Sequence, residues 1–159
     1  MIYLAAPFFN EGQLLRIGIV EQCCRKADLK YFSPRHEGGV INDMDPELRS
    51  KSLLRVFKSN VRGMEASTLM LAGLDDKDTG TTWELGWYYG RKRMGLPIAP
   101  LITYSFRPME LNLMLSQSTT GHLQGHQQIE QFIDLLGKYP NDLKEACAKW
   151  KFAQARTSE

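Results

Sequence analysis

Residues 69–90 limit the choice of fold more than any other stretch. Leu69-Met70-Leu71-Ala72-Gly73-Leu74 is an apolar run of strand length, bounded by turn-forming residues, and its lack of polar alternation marks a strand buried on both faces. The acidic turn Asp75-Asp76-Lys77-Asp78 follows, then Thr79-Gly80-Thr81-Thr82-Trp83-Glu84-Leu85-Gly86-Trp87-Tyr88-Tyr89-Gly90. Thr79 or Thr81 can cap a helix there, and Trp83, Trp87 and Tyr88 recur at helical spacing. Strand, polar turn and helix in that order belong to a parallel sheet flanked by helices. The spacing also puts Thr82, Trp83 and Glu84 in the helix's first turn, just past the strand's carboxyl end. The helix dipole favours an ionised carboxylate at that end, which is the state a carboxylate nucleophile needs.

The rest of the chain repeats the alternation. Ile2–Ala6 reads as a first strand, Pro7–Gly12 as a loop, and Gln13–Ala27 as a helix with a broad apolar face. Lys30–Ser33 is a second strand that Pro34 ends, and the polar loop Arg35–Asp45 is long enough to imply that it covers a site. Asp45 caps a helix that Pro46 opens and that runs to about Ala66. The basic run Arg91-Lys92-Arg93 suits the carboxyl end of the Glu84 helix, and Gly95 breaks that helix. Pro97–Thr103 is a fourth strand whose two prolines place it near a sheet edge or delay its start to Ala99. Met109–Gln117, Gln127–Leu136 and Asp142–Ala155 read as helices, with His122–Gln124 as a short strand and the last residues frayed.

The expected fold is therefore a single α/β domain over residues 1–159, flavodoxin-like or Rossmann-like, with a parallel sheet and helices on its faces. Ligands of such sheets lie beyond the carboxyl ends of the strands. Pro7–Gly12, Pro34–Asp45 and Asp75–Thr82 leave the sheet there and are expected to converge on one pocket.

Composition removes several function classes. With 20 basic and 18 acidic side chains, the chain has no field to gather nucleic acid or an anionic membrane. Three cysteines, Cys23, Cys24 and Cys147, show neither a CxxC pair nor zinc-type spacing to histidine, so no disulfide framework or metal site is expected and a reducing cytoplasm fits. The opening Met1–Pro7 lacks the basic lead of a signal peptide and the length of a membrane span. Gly80 and Gly86 do not form a GxGxxG after the first strand, so no dinucleotide cofactor is expected.

Four separated motifs carry a resemblance. Tyr3-Leu4-Ala5-Ala6-Pro7-Phe8, Ser59-Asn60-Val61-Arg62-Gly63-Met64, Asp78-Thr79-Gly80-Thr81-Thr82-Trp83-Glu84-Leu85-Gly86 and Leu111-Asn112-Leu113-Met114 occur in the order found in the nucleoside 2-deoxyribosyltransferases. The similarity runs from Met1 to about Ile133. It implies that Glu84 attacks the anomeric carbon of a 2′-deoxynucleoside, that Asp78 binds the sugar hydroxyls, and that the sugar passes to a free nucleobase with retention. It implies no metal and no other cofactor. It also implies a homo-oligomer built on dimers, up to a hexamer, in which Asn112 reaches a neighbouring subunit's pocket. Asn60 stands where the family carries an aspartate that helps proton transfer at the base. An amide does not titrate, so Glu37, His36 or Asp78 would have to move that proton. Arg35, His36 and Glu37 offer donors and an acceptor to a base edge, and Phe8, Phe9, Trp83 and Tyr3 offer stacking faces.

Plainer roles stand beside these. Asp75 and Asp76 read as a solvated turn, Trp87, Tyr88 and Tyr89 as core or interface aromatics, and the cysteines as packing. Arg91-Lys92-Arg93 and Lys149-Trp150-Lys151 read as solvated helix ends. Two other functions remain open: an N-glycoside hydrolase acting on deoxynucleosides or their 5′-monophosphates, and a non-catalytic nucleoside-binding module.

Overall fold

In the computed structural model, which describes residues 1–37, 45–96, 100–150 and 152, the apolar run becomes β3 (Leu69–Gly73), buried at every position. It pairs on one side with β1 (Ile2–Ala5) and on the other with β4 (Leu101–Ser105), both parallel to it. Two short edge strands, β2 (Tyr31–Phe32) and β5 (Gly121–Gln124), complete a parallel sheet of order β2-β1-β3-β4-β5. Parallel strands need crossovers, and the helices that supply them cover both faces. On one face Ile2, Leu4, Leu69, Leu71, Ile102 and Tyr104 pack against Ile17, Val20 and Cys24 of α1 (Glu11–Lys26) and Ile129, Phe132 and Ile133 of α5 (Gly125–Lys138). On the other, Tyr3, Ala5, Met70 and Ala72 meet Met64 of α2 (Pro46–Ala66) and Leu85 and Tyr88 of α3 (Thr79–Arg93). The remaining helices are α4 (Leu113–Ser118) and α6 (Leu143–Lys149). Among the described residues no helix is long and apolar enough to cross a membrane.

Capping explains most displaced boundaries. Asn10 caps α1 by accepting from the Gln13 amide at 2.9 Å, so the helix starts at Glu11 and takes in Gly12. Asn112 accepts from the Leu115 amide at 3.0 Å, which moves the start of α4 from the expected Met109 to Leu113. Asp142 caps α6 in the same way, but the helix is shorter than the expected Asp142–Ala155: it ends at Lys149 with Trp150 already extended, Phe152 is not helical, and residues 151 and 153–155 lie outside the described residues. At α3 the cap is neither threonine: the Asp78 carboxylate accepts from the Thr81 amide at 2.6 Å. All three cysteines are buried free thiols.

Two expectations are corrected. β4 is an interior strand, not an edge, and it starts only at Leu101. Pro100 precedes the ladder and contributes its carbonyl to the Met70 amide at 3.3 Å, so no missing N–H interrupts the strand. Pro97–Ala99 lie outside the described residues. Asp75 is not a solvated turn residue, for its side chain is only 4% exposed. Its carboxylate accepts from the amides of Phe106 at 3.0 Å and Arg107 at 3.1 Å, which fastens the exit of β4 to the exit of β3. Asp76 forms an ion pair with Arg16 of α1.

Candidate active site

The site forms where β1, β2 and β3 end. Ala6, Phe8 and Phe9 come from the segment after β1, Pro34 from a 3-10 turn (Pro34–His36) after β2, Asn60 from α2, and Asp78, Gly80, Thr81 and Glu84 from α3 and its cap. Together they line a cleft of about 140 Å³. Phe8, Phe9, Asn60, Asp78 and Glu84, five of the residues singled out in the sequence, are thus brought together.

Glu84 sits on the inner side of α3, and its Oε1 accepts a 2.5 Å hydrogen bond from the Tyr3 hydroxyl. Tyr3 is fully buried and its ring stacks on Phe32 with centroids 5.4 Å apart. Gly63 of α2 also lies against Phe32, where any Cβ would stand 2.7 Å from that ring. The glycine therefore allows the close approach that holds the aromatic pair in place. Burial drives the Tyr3 phenol well above its ordinary range, and the Glu84 charge adds to the effect, so the hydroxyl stays protonated and remains a donor.

Burial also dominates at Glu84 itself. It pushes the carboxyl up to about 7; the Tyr3 hydrogen bond opposes the shift and the neighbouring Asp78 charge reinforces it. The dipole argument made from the sequence is outweighed here because Glu84 is the sixth residue of α3, in the second turn, and the dipole's influence fades beyond the first. A carboxyl of this kind is divided between its two protonation states at neutral pH, as groups at reacting centres often are.

Asn60 adds a second signal. Its Oδ1 is buried and has no hydrogen-bond partner among the described residues, although the residue lines the cleft. A buried unpaired acceptor is costly unless something fills it. Phe8 and Phe9 stack on each other with centroids 5.0 Å apart at the cleft's rim.

The other sequence candidates are placed elsewhere. Arg35 donates to both carboxylate oxygens of Glu21 on α1, through Nε at 2.7 Å and Nη2 at 2.5 Å. His36 Nε2 lies 3.2 Å from the same group. Glu37 accepts from the Ser59 hydroxyl at 2.6 Å. Trp83 is half exposed and leans on Phe57 of α2, with centroids 5.9 Å apart. Asn112 is occupied as the cap of α4. The segment 38–44 of the loop expected to cover the site lies outside the described residues.

Sequence reasoning gave Tyr3 a stacking face and missed its hydroxyl. The signal was available, since a tyrosine in an otherwise aliphatic strand needs a polar partner when buried. Replacing Tyr3 with Phe removes the one contact that lowers Glu84's proton affinity, so the carboxyl should titrate above 7. Turnover at pH 6 is expected to fall at least tenfold, and the acid limb of the rate profile should move to higher pH. A limb that stays in place would show that the rate does not depend on the titration of Glu84.

The family model for nucleoside 2-deoxyribosyltransferase matches residues 2–136, which take in every residue lining the cleft. The chain belongs to the nucleoside 2-deoxyribosyltransferase family. A 2-deoxyribosyltransferase from the psychrotolerant bacterium Bacillus psychrosaccharolyticus is 31% identical, with 81% of this chain and 89% of that one covered and a TM-score of 0.65. A conserved protein from Enterococcus faecalis V583 shares the fold at 15% identity, over 82% of this chain and 96% of that one, with a TM-score of 0.55. No curated protein matches the chain in sequence. As expected for this family, the architecture is one parallel five-stranded sheet flanked by helices.

Proposed function

We propose that the cleft exchanges the base of 2′-deoxyribonucleosides through a covalent deoxyribosyl ester on Glu84. The observation that carries this reading is the buried Glu84 carboxyl at the foot of the cleft, held through one oxygen by Tyr3. Tyr3 occupies Oε1, so Oε2 is the oxygen left to attack C1′. The C1′–N bond breaks, its electron pair goes to the base, and the base leaves after gaining a proton. A nitrogen of the acceptor base then attacks C1′, the ester bond returns its electrons to Glu84, and the acceptor gives up its proton. Two displacements on one carbon preserve the configuration, as in retaining glycosidases.

The neighbours fit supporting roles. Asp78 uses one oxygen on the Thr81 amide, which leaves the other for a sugar hydroxyl. The unpaired Asn60 acceptor suits an N–H on the base edge, and Phe8 offers the base a stacking face. Asn60 cannot carry the base's proton. Of the three candidates for that task, Asp78 alone lines the cleft, since His36 and Glu37 are engaged with Glu21 and Ser59.

The assay is chromatography of the protein with deoxyinosine or thymidine, with and without free adenine or cytosine. A new deoxynucleoside that appears only with the acceptor is expected. Equal release of free base in both mixtures would mean a hydrolase, and bound but uncleaved nucleoside would mean a binding module.

We further propose a homo-oligomer built on dimers, with Asn112 of one copy completing the cleft of another. Only Gly63 and Met64 of the 21 residues of α2 are buried, while Leu53, Phe57, Trp83, Leu113 and Met114 are all at least half exposed. Monomeric proteins rarely leave so much large apolar surface uncovered. Light scattering should give a multiple of 18.2 kDa. A Phe57→Glu, Trp83→Glu double variant should fall to the monomer and lose most turnover, and an active monomer would remove the shared-site reading.

A further inference from the structure

The side of α2 turned away from Asn60 and Met64 carries Lys51, Arg55, Lys58 and Arg62. At 3.6 residues per turn these positions fall within a sector of about 60° and span about 16 Å along the axis. Each cation is therefore next to a like charge three or four residues on, an arrangement that destabilises a helix. Solvated helix faces ordinarily interleave both signs, with acids three or four residues from bases. Here the helix's own acids do little to relieve the stripe. Glu47 meets only Lys51, in a pair that is mostly exposed, and Glu65 is turned to Arg91 of α3. Arg55, Lys58 and Arg62 have no ion-pair partner among the described residues.

The stripe borders a groove. Lys51, Arg55, Lys58 and Arg62 line a depression of about 450 Å³ with Leu54 and Glu37, a volume in the range of small-molecule sites. Glu37 is the one carboxylate among the described residues that line it, and it is already accepting from Ser59 at 2.6 Å. The groove shares no lining residue with the cleft that holds Glu84. With an overall charge of +2, four cations on one helix face are a local concentration, not a reflection of a basic chain.

We infer that this α2 groove is a binding site for a small polyphosphate anion, either free or as the phosphate chain of a nucleotide. The inference is independent of the base-exchange reading, because it uses neither Glu84 nor the cleft. A row of guanidinium and ammonium groups at one-turn intervals matches a flexible chain of phosphates. Occupancy removes the repulsion within the helix, so the ligand also stabilises the fold. The compact groove and the small net charge argue against a nucleic acid as occupant, since that partner needs an extended basic surface.

The test is calorimetric titration of the full chain with inorganic tripolyphosphate at low salt, with thermal unfolding in parallel. One site is expected, with a higher unfolding temperature and at least fivefold weaker binding when sodium chloride rises from about 50 to about 300 mM. Arg55→Glu with Arg62→Glu should weaken binding at least tenfold, and the gentler Arg55→Gln with Arg62→Gln at least threefold. Lys138→Glu with Lys144→Glu makes the same change in net charge elsewhere and should leave binding unaltered. Equal loss in that control pair, or no binding at all, would overturn the site. Displacement of the anion by saturating deoxyadenosine would put it in the cleft and overturn the proposal too, as would a single-stranded oligodeoxynucleotide that binds where tripolyphosphate does not. Comparison with dATP separates the sources: equal affinity means that the phosphate chain alone is read, and tighter dATP binding means that the nucleotide is.

Discussion

At pH 8 the Glu84→Gln variant is expected to make no detectable product and yet to resist denaturant better than the parent. On the proposed mechanism the nucleophile is removed, so turnover should fall by about three orders of magnitude or more. Stability moves the other way because the parent buries a carboxylate at that pH. Its carboxyl titrates at about 7 in the fold against an ordinary 4.5. A raised acid pKa means that the folded state holds the proton more tightly, so Glu84 contributes stability at low pH and that contribution is lost as pH climbs from 4.5 through 7. The full difference amounts to about 3 kcal/mol above pH 7. Glutamine keeps an acceptor for Tyr3 without the charge. The gap between variant and parent should close below about pH 4.5, which denaturant melts at pH 4 and pH 8 would reveal. A variant weaker than the parent at pH 8 would mean that the carboxylate is adequately solvated.

Glu21→Ala is expected to cost about 3 kcal/mol, the scale for removing one partner of a buried ion pair. Glu21 is fully buried and faces Arg35 through two hydrogen bonds and His36 through one contact. Burial alone would raise its carboxyl, but the Arg35 hydrogen bonds and the charges of Arg35 and His36 prevail and hold it below the usual carboxylate range. With the folded pKa depressed, the stabilising contribution is present above the ordinary carboxylate pKa and is lost as pH falls through the folded value. The pair also ties the turn after β2 to α1, and Pro34 of that turn is a wall of the cleft. Substrate KM should therefore rise with the loss of stability. Glu21→Met combined with Arg35→Met is expected to recover most of the stability, because no charge is then stranded. A double variant as weak as Glu21→Ala would trace the damage to packing.

How far the sequence revealed the protein depends on the distance over which each cause acts. Local causes were legible: the apolar run at Leu69, the Asp45–Pro46 helix start, and the turn that carries Asp78 and Glu84 a few residues past a strand end. Causes that join distant segments were not. Nothing near Arg35 or His36 indicates that a buried acid on α1 engages both, nor does anything near Asp75 point to the amides of Phe106 and Arg107. Pro100 is a real strand breaker, but its effect ends where the ladder begins. The balance at Glu84 was misjudged for the same reason. The dipole belongs to the helix and can be read locally, while the desolvation that overrides it comes from elements the chain brings in from elsewhere.

The Tyr3–Glu84 bond spans 81 residues of chain, and that span also sets a time order. β1 is an interior strand, lying between β2 and β3, and it cannot complete its pairing until a segment more than sixty positions later has emerged. Long loops must close before such contacts contribute anything, which makes them late events in folding. Until β1 docks, the Glu84 side chain stands in water as an ordinary acid with no hydroxyl beside it. On the proposed mechanism a chain still being assembled would carry its nucleophile in an idle form, and closure of the sheet would be the step that brings Tyr3 to Glu84.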